Sequence, residues 1–390
     1  MCTWISLGGI NARLARLVLL AMLATVALTP ARAVHGASGQ PLALVSIHFV
    51  SATTGWGVTD SAVVRTVDGG STWHNVTPPG LSVAPLHAPA TAFFSAADAW
   101  VADPPQAANP GIYRTTDGGR AWQRATLPPL LRSAGPIAIS QLDFLDSLHG
   151  WALESLGGGA GTFYYALFRT LDGGATWSGI CGGTLTRPPS PGAYPTDVQA
   201  VHFDSPTDGW TSVVIYAGPQ LNGLYHSTDA GHTWQKVSLP LTGAFGEGFF
   251  NVGSPVFFDA HHGAVAVANQ AAAGLYVTTN GGASWKLSGA FPATIQPGSP
   301  GQFSADILDS LHTWVIAGSN LYFTPDLGRH WTSVRQTLDF GSIASIDYIC
   351  ACDGWALGGT LGSGSGAASH STLQRTTNGG KNWAVLRPTI

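Results

Sequence analysis

One nine-residue phrase recurs seven times along the chain, and this repetition constrains the fold more than any other feature of the sequence. It reads RTVDGGSTW (65–73), RTTDGGRAW (114–122), RTLDGGATW (169–177), HSTDAGHTW (226–234), VTTNGGASW (277–285), FTPDLGRHW (323–331) and RTTNGGKNW (375–383). Its acid or amide positions are Asp68, Asp117, Asp172, Asp229, Asn280, Asp326 and Asn378, at intervals of 49, 55, 57, 51, 46 and 52 residues. A Trp always follows five residues later. Self-similarity at such a period marks architectures in which each unit buries its apolar face against the next.

A second phrase lies upstream of each copy of the first: IHFVSATTGW, AFFSAADAW, LDFLDSLHGW, VHFDSPTDGW, VFFDAHHGA, ILDSLHTW and DYICACDGW. A large apolar landmark (Phe49, Phe93, Phe144, Phe203, Phe257, Ile307, Tyr348) stands seven residues before Trp56, Trp100, Trp151, Trp210, Ala264, Trp314 and Trp355. With Trp4 near the N-terminus, these two positions account for all 14 Trp.

Each unit reads as four short strands. Strand A carries the landmark, strand B begins at the second-phrase Trp, strand C ends just before the Asp, and strand D starts at the first-phrase Trp. Period-2 alternation and Gly/Asp turns fit an antiparallel meander. Only 10% of the residues are charged, with 2 Glu and 3 Lys, too few to coat exposed helices. The expected fold is therefore all-β: a seven-bladed β-propeller of four-stranded antiparallel blades, in which each sheet buries its faces against its neighbours. Repeat seven supplies its own strand D at 383–386, so no blade is shared between the termini. Ring closure then rests on packing of blade 7 against blade 1, assisted by residues 34–42.

The first phrase resembles the Asp-box, or BNR repeat, of sialidases, the sortilin ectodomain, xyloglucan-degrading glycoside hydrolases and the photosystem II stability/assembly factors. The DGG turn, the following Trp and the upstream F-x-D…GW pair look most like the last group, over residues 43–390. That resemblance implies a propeller with Asp-box turns and a partner-binding role. It is specific for fold and far less so for function.

The repeated Asp positions read as structural. Asn280 and Asn378 keep an acceptor oxygen but no charge, which suits an Asx side chain bonding its own turn and not a carboxylate base. The glycines supply the unusual backbone angles. In a meander the A–B and C–D turns share one face of the ring, and both are short here. Variation concentrates on the other face, in 103–111, 130–141, 155–163, 182–197, 241–254, 289–302 and 358–373. Loops on a rigid scaffold carry specificity, so this loop-rich face is the expected binding face.

Candidate site residues fall into three sets. One position before the landmark, strand A offers His48, Ala92, Asp143, His202, Val256, Asp306 and Asp347. Their acids and imidazoles either line a channel mouth and bind a cation or sugar hydroxyls, or bond neighbouring backbones and channel water. Late on strand B stand Asp60, Asp103 and Glu154, with the same two readings. Arg65, Arg114, Arg169 and Arg375 share one position in contiguous blades 1, 2, 3 and 7, with His226 extending the arc and Val277 and Phe323 ending it. This arc either docks an acidic partner or pairs locally.

Enzymatic readings are weaker on these residues. Sialidase chemistry needs converging arginines, a Tyr–Glu pair and, in the resembled enzymes, an Arg-Ile-Pro segment; the last is lacking, only Glu154 and Glu247 are available, and Arg132, Arg187 and Arg335 are scattered. A glycosidase needs only a carboxylate pair, which Asp143, Asp306, Asp347 or Glu154 could supply. The resembled xyloglucan enzymes use two propellers around a cleft, whereas this chain has repeats for one. The favoured expectation is a non-catalytic scaffold, acting as a monomer and needing no cofactor or metal, that binds a protein or carbohydrate partner.

Arg13 and Arg16, the apolar run 17–28 and Ala31-Arg32-Ala33 read as a signal peptide cleaved near Ala33, hence a secreted or extracytoplasmic protein with no stable membrane insertion afterwards. Removing 1–33 leaves 14 basic against 21 acidic residues, which disfavours a nucleic-acid partner. Of the cysteines only Cys181, Cys350 and Cys352 then remain. They read as small buried residues in a sheet, since a 350–352 bridge would be a strained, tight ring and a zinc site would need a fourth ligand.

Overall fold

Each pair of phrases folds into one antiparallel blade. The computed structural model describes residues 42–83, 88–105, 110–128, 138–159, 162–182, 195–213, 223–241, 250–269, 273–291, 303–334, 338–359 and 371–390. Seven sheets of sequence-consecutive strands make a seven-bladed β-propeller. Blade 1 comprises Leu44–Phe49, Gly55–Thr59, Val63–Thr66 and His74–Asn75, and blade 7 comprises Ile343–Tyr348, Gly354–Gly358, Thr372–Thr376 and Ala384–Leu386. The one helical element among the described residues is the 3-10 turn Phe340–Ser342.

Register explains why the two phrases recur together. Across strands A, B and C, His48 opposes Trp56 and Trp56 opposes Arg65; Asp143, Trp151 and Arg169 align likewise, as do Asp347, Trp355 and Arg375. Directly opposed residues share one face of a sheet, so the landmark one position along strand A points to the other face. Each blade thus turns its Trp face toward the landmark face of the next. Phe49 stacks on Trp355, Phe144 on Trp100, Phe203 on Trp151 and Tyr348 on Trp314, with centroids 3.6–3.8 Å apart. The six second-phrase Trp are at most 2% exposed and are among the largest buried side chains of the described residues. Indole N–H groups of Trp100, Trp151 and Trp355 donate to Gly173, Ala230 and Gly69 of the following blade.

The junction between blades 5 and 6 shows the pairing by its exception. Ala264 takes the Trp position in blade 5, flanked by Val256 and Val277, and the landmark position of blade 6 is the aliphatic Ile307. A small residue and a non-aromatic landmark thus fall at the same junction.

In the C–D turns the Asp or Asn side chain accepts the backbone N–H of the residue four on, as Asp172 does from Thr176 (2.9 Å) and Asn280 from Ser284 (2.9 Å). A strand-C hydroxyl completes the turn, with Thr170 donating to Asp172 and accepting from the Gly174 amide. The first glycine has φ near +70°, yet Ala230 and Leu327 adopt φ 63° and 56° in blades 4 and 6. These two accept backbone strain that glycine avoids.

Ring closure, which the repeats left to packing, also uses backbone pairing. Thr72 and Thr389 form a parallel bridge, Trp73 donates to Thr389 (2.8 Å), and Leu42 donates to Pro388 (3.2 Å). Residues after the last strand therefore seal blade 7 onto blade 1. The proposed signal, 1–33, and all but Leu42 of the 34–42 segment lie outside the described residues, as does most of the length of the expected variable loops.

Two of those segments contain strand where loop is expected. Most of 155–163 is strand: Gly150–Gly159 and Thr162–Thr170 form the longest hairpin among the described residues, favoured by Phe163, Tyr164 and Tyr165. The 241–254 segment contains a strand, Phe250–Val252, which with Val256–Phe257 pairs against Gly263–Asn269. Strand A of blade 5 is split there at Gly253, Ser254 and Pro255, since proline cannot donate to the ladder.

Candidate functional site

The strand-A set forms one inner level of the ring, where strands A of neighbouring blades touch. Asp143 accepts the backbone amide of Phe203 (2.9 Å), Asp306 that of Tyr348 (2.7 Å) and Asp347 that of Phe49 (2.5 Å). Each carboxylate thus reaches to the landmark of the following blade. His202 lies between Asp143 (3.2 Å) and Asp204 (3.3 Å), and His48 stands 3.9 Å from Asp347. His48 and Asp143 also line a cavity of about 300 Å³ across blades 1–3, opened where Ala92 replaces a longer side chain.

Electrostatics at this level are strongly perturbed. Burial pushes the Asp306 carboxyl up to about 7, with neighbouring Asp347 adding to the rise, and burial pushes Asp347 up to about 6. For His202 burial works against the charge, but the bonds to Asp143 and Asp204 outweigh it and hold the imidazole at about 10. Perturbed groups in a cavity mark functional-site candidates, and inter-blade ion pairs perturb in the same way.

The late strand-B acids are separate from this level. Asp103 accepts from the Gly111 amide and pairs with Arg124, whose guanidinium lies over Tyr113. Glu154 is buried inside blade 3, at 1% exposure, and Asp60 accepts from Ser61 in its turn.

The arginine arc occupies the turn face. The guanidinium groups of Arg65, Arg169 and Arg375 lie over Trp56, Trp151 and Trp355, with 4.9–5.5 Å to the ring centroids. Arg65 donates to the Ala96 carbonyl, Arg114 to Asp172 and Arg169 to Pro206, all on the following blade, while Arg375 donates to Asp353 (3.2 Å). All four residues are half-buried between blades, and Arg65 and Arg169 contact both a Trp face and a backbone carbonyl.

Between blades 4 and 5 this arrangement changes. His226 stands at the arginine position and stacks on Trp210 (4.0 Å), 3.6 Å from Asp208. Phe257 is tilted by 27° against Trp210, whereas the five other aromatic junctions are parallel within 12°. A cavity of about 530 Å³ opens there, lined by Asp204, Asp208, His226, Phe258, Asp259 and Ala260. Repeat comparison places His226 at the end of the arginine arc, but the cavity depends on geometry between blades, which the spacing does not carry.

Cys350 and Cys352 are not buried sheet residues: they lie in the A–B turn of blade 7 beside Asp353, Cys352 exposed, as free thiols with sulfurs 3.0 Å apart. Cys350 accepts the Asp353 amide, as Ser95 and Ser205 accept the amides of Asp98 and Asp208. Burial pushes the Cys181 thiol up to about 12, with Asp229 adding to the rise.

The sequence matches no protein-family model and no curated protein. Solved structures match by fold. A puromycin-hydrolysing peptidase of Mycobacterium tuberculosis aligns with 89% of this chain at 13% identity and a TM-score of 0.55. This chain covers 53% of that protein, about half its length. An ancestral GH74 enzyme aligns with 90% of this chain and 46% of its own, at 13% identity and a TM-score of 0.45. The extracellular domain of a one-component system of B. thetaiotaomicron aligns with 82% of this chain and 37% of its own, at 9% identity and 0.49. At 13% identity the likeness to the peptidase is one of fold alone, and fold does not fix function.

Proposed function

We propose that this chain is a secreted, non-catalytic propeller that binds a protein or glycan partner on its loop-rich face. The supporting observation is the use made of the acids at the inner level. Asp143, Asp306 and Asp347 each commit an oxygen to the backbone amide of the next blade. Carboxylates so used are ring fasteners, and a glycosidase would need two of them free to face a sugar. The C–D turns, with Asx side chains closing their own backbone, support their reading as Asp-boxes. The likeness to photosystem II assembly-factor propellers rests on those phrases and carries a partner-binding role, with no photosynthetic role attached. The run at 17–28 before Ala33 supports export.

A second reading, glycoside hydrolysis, draws on Asp306 at about 7 and Asp347 at about 6, adjacent carboxyls suited to proton transfer near neutrality. Assay on a polysaccharide panel, with Asp143→Ala and Asp306→Ala beside the wild type, separates the two. The binding reading expects no turnover and capture of a partner from the envelope or medium; turnover abolished by the substitutions would replace it with the hydrolase.

A further inference from the structure

The four arginines of the turn face define a repeated guanidinium slot. Its floor is the Trp of one blade, and its rim is the backbone of the next. Arg65 and Arg169 donate to the carbonyls of Ala96 and Pro206, each three residues past the landmark. The first glycine of the next C–D turn lies under the guanidinium: a Cβ on Gly118 would meet Arg65, one on Gly173 would meet Arg114, and one on Gly69 would meet Arg375. In blade 7 the acid before Gly354-Trp355 takes part as well, since Asp353 accepts from Arg375.

Blade 4 keeps the slot but sets a shorter imidazole, His226, where blades 1, 2, 3 and 7 have a guanidinium. Trp210 is the floor, Asp208 stands where Asp353 stands, Ala260 is the carbonyl residue three past Phe257, and Gly281 is the first glycine of the next turn. A Cβ on Gly281 would meet only the Ala260 carbonyl. All four residues border the 530 Å³ cavity. The His226 ring covers the Trp floor and stops at Asp208. Asp204 and Asp259, paired with His202 and His262, also line the cavity.

We propose that this junction binds an arginine side chain presented by a partner protein, seated beside His226 and held by Asp208 and the Ala260 carbonyl. The choice of occupant follows from the molecule itself, because the equivalent position in four blades holds a guanidinium. Carboxylate with carbonyl suits a planar fork of donors better than the compact ammonium of lysine. The site lies on the turn face, so it is independent of the loop-face reading.

The test is calorimetric titration of the full chain with N-acetyl-arginine amide and with the citrulline analogue, which keeps the shape without the charge. Saturable one-to-one binding is expected, weaker by about tenfold or more for citrulline. The His226→Arg variant restores the repeat and fills the slot, so it should melt no lower than wild type and lose binding. Asp208→Asn, which leaves the slot open, should weaken it and provides the reading if His226→Arg folds poorly. A capped Gly-Arg-Gly peptide should bind at least as well as free arginine. The proposal is overturned by absence of saturable binding in wild type, by equal binding of citrulline, by undiminished binding in both variants, or by preference for the free amino acid.

Discussion

Asp347 on blade 7 accepts the backbone amide of Phe49 on blade 1, so the ring is closed by a carboxylate that reaches from one inner strand to the next. Asp306 makes the same reach to Tyr348 and Asp143 to Phe203. Ring integrity and inner-level electrostatics are therefore carried by the same side chains.

Asp306 has a folded pKa of about 7, raised from 3.8 by burial and by Asp347. Protonation favours the folded state, so this contribution is complete below about pH 3.8 and is lost as pH rises toward 7. Asp306→Asn keeps an acceptor for the Tyr348 amide without the charge. Its stability relative to wild type should grow from pH 4 to pH 8 in denaturant titrations. A relative stability that shrinks over this range would contradict the raised pKa.

His202, held at about 10 by Asp143 and Asp204, should still be an imidazolium at pH 8. Because the folded pKa is raised, the stabilisation is present below about 6.5 and lost as pH rises toward 10. Ring-carbon chemical shifts followed against pH would show the late titration, and Asp143→Asn should bring it earlier.

Replacing Asp172 separates hydrogen bonding from charge. Asp172→Asn should cost less than about 1 kcal/mol, because an amide oxygen serves at Asn280 and Asn378, whereas Asp172→Ala should cost about 2 kcal/mol through lost bonds from Thr170 and Thr176. Melting curves of the two variants check this ordering.

Removing residues 388–390 should lower the melting temperature, since Trp73 and Leu42 lose their acceptors on Thr389 and Pro388. An unchanged melt would mean that stacking of Phe49 on Trp355 seals the ring alone.

Much of this was legible in the repeated phrases because a propeller is built from local pairings. The spacing from landmark to Trp gives the A–B hairpin, and Asn at 280 and 378 shows that the turn needs an acceptor and no charge. What lies between blades was harder to read. Nothing in the spacing says that Asp347 bonds Phe49, or that Arg65 reaches Ala96, since these partners belong to different units. The open junction had a sequence signal, histidine at 226 among arginines, but its meaning needed the geometry of the occupied slots. The segment 155–163 groups with the variable connections in the sequence, and the aromatic run 163–165 draws it into a long hairpin instead.

The closing seam has a kinetic consequence. Six junctions join units that follow one another in sequence, whereas the seventh joins Phe49 to Asp347 across 298 residues and Trp355 to Gly69 across 286. Blades can therefore form and dock with modest loop-closure entropy until the last step, which alone brings together distant parts of the chain. Before that step, the landmark face of blade 1 and the Trp face of blade 7 are exposed as two matching adhesive edges. An unclosed ring can satisfy them equally well with another molecule, so the tendency to self-associate during folding is concentrated at this one junction.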